Sequence, residues 1–117
     1  MNEFQQQVWD AAQGQLDAYN ARSIDDFVKW YTQDIELITL EDNNVFCRGI
    51  EELRQRYAPM FEKNTSLHCS LLNRVVCGKF CFDEESVTGI VPDTIVHAVA
   101  IYEVNDGLIR KAWFVRN

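Results

Sequence analysis

Two imidazoles, His68 and His97, are the first candidates for chemistry, and both fall in strand-like runs. In "TIVHAVAIYEV" period-two alternation places Ile95, His97, Val99 and Ile101 on one face of a strand from Thr94 to Val104. An imidazole among aliphatic side chains on a concave wall would have its pKa lowered by desolvation and could serve as a general base. The plainer alternative is a structural histidine with one satisfied nitrogen. On the preceding long strand, His68 shares a face with Ser70, Leu72 and Arg74. A two-residue turn at Gly78-Lys79 would pair Arg74 with Asp83 and set Glu85 opposite Leu72. The resulting Arg74–Asp83–Glu85 cluster is, in the ordinary case, a cross-strand ion pair. A loop of another length would bring Glu84 onto the His68 face, and otherwise Glu84 joins His97; the sequence leaves this register open.

Other chemistries find little support. The cysteines, Cys47, Cys69, Cys77 and Cys81, form no CxxC, and no His stands at zinc-finger spacing. No metal site is expected, and nothing calls for a cofactor. The "GK" turn aims the Cys77 and Cys81 sulfurs to opposite faces, so buried free thiols are expected rather than a disulfide. Cys69 gains no activation from His68, because adjacent strand residues face opposite ways. A GxSxG elbow and a Gly-rich phosphate loop are both lacking.

These residues must be positioned by a chain of 117 residues, a length that suits one domain over residues 1–117. Its 18 acidic and 11 basic residues give a net charge of −7, which disfavours nucleic acid as a partner. No apolar run is long enough to span a membrane, and "MNEFQQQVWD" lacks the basic and apolar regions of a secretory signal. A soluble cytoplasmic protein is the expectation.

The first half reads as mostly helical and the second as mostly strand, an α+β pattern. Helix one covers Glu3 to Asn20, with Phe4, Val8, Ala11 and Tyr19 on one face and the amide of Gln15 close to that face's centre. It is either a hydrogen-bonded core Gln or a pocket-lining donor. Ser23 can cap a short second helix striped by Ile24, Phe27, Val28 and Tyr31. A strand from Ile35 to Leu40, a turn at "EDNN" and a return strand from Val45 to Arg48 follow. Gly49 opens helix three, which Pro59 should bend or shorten. Three long strands and a final one, Leu108 to Arg116, complete an antiparallel meander, with "NDG" at 105–107 as a hairpin turn.

Helix, short helix, strand pair, helix and long meander is the order of the NTF2-like, or SnoaL-like, cone fold. "AYNARSIDDFVKWYTQDIEL" resembles that family's opening, "RGIEELRQRYAPMF" its third helix, and "AIYEVNDGLIRKAWFV" its final hairpin. The resemblance, closest to small steroid-isomerase-like proteins, implies three N-terminal helices packed on a strongly curved, mostly antiparallel sheet around a pocket. Ketosteroid isomerases of this fold use a strand-one Asp as base, with a Tyr and a protonated Asp as oxyanion hole. Segment matching places those roles on Thr39, Gln15 and Val99, and aromatic walls on Tyr57 and Tyr31. Thr39 cannot take a proton near neutral pH, and Val99 donates no hydrogen bond. The resemblance thus implies a pocket for a small, largely apolar molecule without the inherited catalytic set. The expected acid–base candidates are His97 and His68. The expected lining is Gln15, Tyr19, Tyr31, Thr39, Tyr57 and Val99. An isomerase, cyclase or hydrolase with a rewired site fits this reading. A non-catalytic binding module or an adaptor remains the alternative. Both faces of the strand around His97 are apolar, so a homodimer through the sheet is expected to cover the outer one.

Overall fold

The computed structural model describes residues 1–117. Helix α1 (Glu3–Asn20) begins with a capping box in which Asn2 and Gln5 exchange side-chain and backbone hydrogen bonds of 2.8 and 3.0 Å. Its buried face carries Val8, Ala11, Ala12, Gln15, Leu16 and Ala18. Helix α2 (Ile24–Val28) is capped by Ser23, whose hydroxyl accepts from the Asp26 N–H. Strand β1 (Tyr31–Thr39) starts four residues earlier than the alternating pattern suggests, so Tyr31 belongs to the strand and not to the helix stripe. Strand β2 (Asn44–Arg48) leads into α3 (Gly49–Lys63). Pro59 neither stops nor shortens α3. Its ring and the Gln55 carbonyl it frees lie on the solvent side, where water can serve the lost bond.

The remaining strands are β3 (His68–Cys77), β4 (Phe80–Thr88), β5 (Val96–Asn105) and β6 (Leu108–Arg116). They join β1 and β2 in one six-stranded sheet of order β2-β1-β6-β5-β4-β3. All neighbours are antiparallel except β1 and β6, which run parallel. The β5–β6 hairpin is closed by Asp106 and Gly107, both at positive φ, as a two-residue turn matched to strand twist requires. Bulges interrupt β1–β2, β3–β4 and β5–β6, and each adds bend to a sheet that wraps the helices.

Register decides which residues face inward. The Gly78-Lys79 turn does pair Val76 with Cys81 and Cys77 with Phe80. Cys81 is buried and Cys77 is exposed, so the expectation of buried thiols fails at Cys77. The bulge between Leu71 and Asn73 leaves Leu72 unpaired and sets Glu85 opposite Leu71. It also shifts the alternation, so that Arg74 turns inward with Cys69 while His68 and Leu72 stay exposed. His68 and Arg74 therefore do not share a face.

On β5, Ala98, Ala100 and Tyr102 are buried and His97 is exposed. The inward set is Val96, Ala98, Ala100 and Tyr102, the opposite of the face assigned from the match at Val99. Hydrophobicity could not choose, because both faces are apolar. Small residues could: Ala98 and Ala100 let the helices approach the sheet.

Behind the sheet, Ile38, Trp113, Ile101, Phe82 and Val75 stand in register across β1, β6, β5, β4 and β3. Inside, Tyr19, Phe27, Tyr31, Tyr57 and Phe61 form an aromatic cluster with ring centroids 4.9 to 6.4 Å apart.

Gly14 is required by this packing. It lies in α1 under the indole of Trp30, and a β-carbon there would overlap the ring. Helix propensity alone favours Gly14→Ala by about 1 kcal/mol. The overlap reverses the sign, and a net loss of ~1–3 kcal/mol is expected from urea unfolding, with a change in tryptophan emission.

Candidate functional site

A cavity of about 360 Å³ lies between the helices and the inner sheet face, and every helix and strand contributes to its lining. Fifteen of its 20 lining residues are hydrophobic. Its deep end is built from buried residues, among them Gln15, Phe27, Tyr31, Cys69, Glu85 and Tyr102. Its mouth is marked by the exposed lining residues Arg56, Ile90, Val91, Arg116 and Asn117.

Gln15 ties the deep end together. Its Nε2 donates to the Ala12 carbonyl at 3.0 Å and to the Tyr102 hydroxyl at 3.1 Å, and its Oε1 accepts from the Tyr31 hydroxyl at 3.1 Å. Both amide donors are thereby spent on the protein, so Gln15 joins α1, β1 and β5 and has no donor left for a ligand. Tyr102 accepts from Gln15 and keeps its own proton free to donate. Burial holds the Tyr31 and Tyr102 hydroxyls far above the ordinary phenol range. Tyr57 is pushed up to about 12 by burial, against the pull of Arg56 and Arg116. Burial also raises Tyr19. All four remain neutral hydrogen-bond donors at physiological pH.

Glu85 is the one carboxylate in the lining, and it is only 7% exposed. Its pKa is raised to about 7, first by burial and then by the charge of Asp83 two residues away on the same strand face. A hydrogen bond from Cys69 and the charges of Arg74 and Arg116 restrain the rise. Such a carboxyl exchanges its proton near neutral pH, which ordinary glutamates do not. Burial raises the Cys69 thiol well above the usual range, so Cys69 stays protonated and is a poor nucleophile. Asn20 fastens this part of β3 to the end of α1, bonding the Cys69 carbonyl at 2.9 Å and accepting from the Cys69 N–H at 2.8 Å.

Arg74 and Asp83 lie behind this wall as a buried bidentate pair, at 2.7 and 2.9 Å. Neither lines the cavity. Arg74 also donates to the Gln13 side chain at 2.9 Å and stacks over Trp9 at 4.6 Å.

Of the residues singled out in the sequence, Gln15, Tyr19, Tyr31 and Tyr57 line the cavity, and His97, His68, Thr39 and Val99 do not. His97 sits on the outer face, 47% exposed in its side chain, with Nε2 2.8 Å from Glu84. His68 is exposed, opposite Thr88. Val99 faces outward with His97, because one residue of offset reverses a strand residue's side. Thr39, at the end of β1, pairs with Asn44 and Phe114; Phe46 and Phe114 line the cavity at that end instead. The residue that sequence reasoning undervalued is Glu85. The signal was the inward alternation Cys81, Asp83, Glu85, Val87, which puts two acids on a face otherwise destined for the core.

The helices, the curved sheet open at β2 and β3, and the cavity between them define an α+β cone of the NTF2-like type. The sequence matches the SnoaL-like domain over residues 12–112, and the chain belongs to that family. Solved structures agree. An uncharacterised cystatin-fold protein from Novosphingobium aromaticivorans superposes with a TM-score of 0.84 at 23% identity, covering 93% of this chain and 97% of that one. An NTF2-like protein of unknown function from Burkholderia xenovorans LB400 gives 0.83 at 14% identity, over 99% and 87% of the two chains. A candidate SnoaL-like polyketide cyclase from Jannaschia sp. CCS1 gives 0.82 at 18% identity, over 100% and 90%. At these identities the likeness is one of fold. No curated protein matches the sequence.

Proposed function

We propose that the cavity binds a small, largely apolar carbonyl compound and that Glu85 moves a proton on it, in isomerase- or cyclase-type chemistry. The observation that carries this reading is the placement of a lone carboxyl, poised at about 7, inside an apolar cavity ringed by neutral tyrosine hydroxyls. Ionised Glu85 would take a proton from carbon next to the carbonyl. A tyrosine hydroxyl would donate to the oxygen on which negative charge develops, and the proton would return from Glu85 to carbon. The candidate cyclase from Jannaschia shares the fold and is compatible with this class. The experiment is exchange of α-protons in deuterated water, followed by proton NMR over a panel of small cyclic and aromatic ketones. Exchange above buffer that collapses in Glu85→Gln supports the reading. Exchange that survives the substitution refutes it, and saturable binding without any exchange marks a non-catalytic binding module.

We also propose that a second copy of the chain covers the outer apolar row of Ile38, Trp113, Ile101, Phe82 and Val75. This row spans five strands; Ile38 at its β1 end is already buried, Trp113 and Ile101 are half-buried, and Val75 and Phe82 are 53% and 38% exposed. Light scattering should give twice the 13.6 kDa chain mass, and Ile101→Glu should halve it. A wild-type mass of one chain at about 100 μM would contradict it, since a sheet interface of ordinary size binds more tightly than that. No helix is long and apolar enough to cross a membrane.

A further inference from the structure

The side chains that line the cavity have a charge balance opposite to that of the chain. The chain has 18 acidic residues against 11 basic ones, yet the lining side chains include one acid, Glu85, and two bases, Arg56 and Arg116. The two arginines come from separate walls, Arg56 from α3 and Arg116 from the end of β6, and both stand at the mouth. Arg48, Arg54, Arg74 and Arg110 each have a carboxylate within 4 Å. Arg22, Arg56 and Arg116 have none, and of these three only Arg56 and Arg116 line the cavity.

The Arg56 side chain is anchored, and the backbone anchors Arg116. The Arg56 guanidinium lies over the Phe46 ring at 4.6 Å, and Phe46 itself lines the cavity and packs on Phe114. Stacking occupies the face of a guanidinium and leaves its in-plane N–H donors free. Arg116 lies on a strand end held by the Asn117 N–H, which donates to the His97 carbonyl at 3.1 Å. Both charges act on the Tyr57 hydroxyl, and Arg116 acts on Tyr19 and Glu85 as well, so their field reaches into the cavity.

We propose that the molecule taken by this cavity is an organic carboxylate, with its apolar body directed toward Tyr31 and Tyr102 and its carboxylate held at the mouth by Arg56 and Arg116. This rests on the cavity being the binding site, as argued above, and it narrows the substrate class to small apolar acids. A planar carboxylate matches the guanidinium fork. The deep end offers no cation in the lining and one acid, so the charged end must lie at the mouth.

The test uses neutral and anionic twins, 3-phenylpropanoate and 3-phenylpropanamide, titrated at pH 7.5 and low salt against isotope-labelled protein by NMR. The acid is expected to bind at least about tenfold more tightly than the amide, in line with a charge-assisted hydrogen bond. Arg116→Gln and Arg56→Gln should each lower affinity for the acid about tenfold and leave the amide unchanged. Added salt should weaken the acid alone. Circular dichroism establishes that both variants are folded. Equal binding of acid and amide by the wild type, or equal losses for both in the variants, overturns the proposal and leaves the cavity reading standing. If neither twin perturbs any lining residue, the cavity reading falls with it.

Discussion

Arg74→Met is expected to lower the free energy of unfolding by ~3–5 kcal/mol, measured from urea denaturation. The Arg74 side chain is 2% exposed and Asp83 is fully buried. Their bidentate contact is the only charged partnership Asp83 has, since its remaining contact is the Cys81 thiol at 3.3 Å. Removing the guanidinium strands a carboxylate out of reach of water, the costly half of breaking a buried pair. It also frees the Gln13 carbonyl oxygen and empties the face of Trp9. Removing both charges together, in Arg74→Met with Asp83→Leu, should recover most of the loss, because an apolar pair of similar volume needs no compensation. A single substitution costing less than ~1 kcal/mol would show that water reaches Asp83.

Glu85→Gln should act in opposite directions on activity and stability. The α-proton exchange proposed above should fall by at least ~100-fold, the usual contribution of a positioned general base. Stability should rise above neutral pH. The Glu85 carboxyl is raised from its ordinary 4.5 to about 7, so between those values the folded protein holds a proton that the unfolded chain has released. Stability therefore falls as pH rises through that window, and above it Glu85 costs the fold about 3 kcal/mol. The groups facing it are Asp83, Cys69, Arg74 and Arg116, with Tyr31 and Tyr102 further along the wall. Asp83 reinforces the rise and the arginines restrain it. Glutamine removes the titration, so the variant should match the wild type near pH 4.5 and exceed it at pH 8. A difference that stays flat across that range would mean that Glu85 ionises as freely folded as unfolded. Residues that carry a destabilising charge into an apolar site commonly serve function at the expense of the fold.

Much of the architecture was legible because local signals were unambiguous. Ser23 announces a helix start, Asp106-Gly107 marks a hairpin, and a two-residue turn at Gly78-Lys79, one of the registers the sequence allows, carries the Arg74–Asp83 pairing with it. The faces of the strands were less legible. β5 is apolar on both sides, so a one-residue offset in matching Val99 carried His97 to the wrong wall. The bulge at Leu72 does the same to His68, since no residue type there declares an unpaired position. Tyr31 reads in the sequence as an aromatic wall on a helix, because "VKWY" continues the helical stripe while the chain has already turned into a strand. Glu85 was visible as part of a cluster, yet its role depends on a cavity. The cavity arises where helices from one half of the chain fail to fill the sheet of the other, and that is a property of tertiary packing, absent from any single segment.

Whether Glu85 exchanges a proton near neutral pH can be observed at the residue itself, by following the side-chain carboxyl carbons of isotope-labelled glutamates through a pH titration by NMR, with Glu85→Gln identifying the resonance. A midpoint near 7 is expected; a midpoint near the ordinary 4.5 would refute the role given to Glu85.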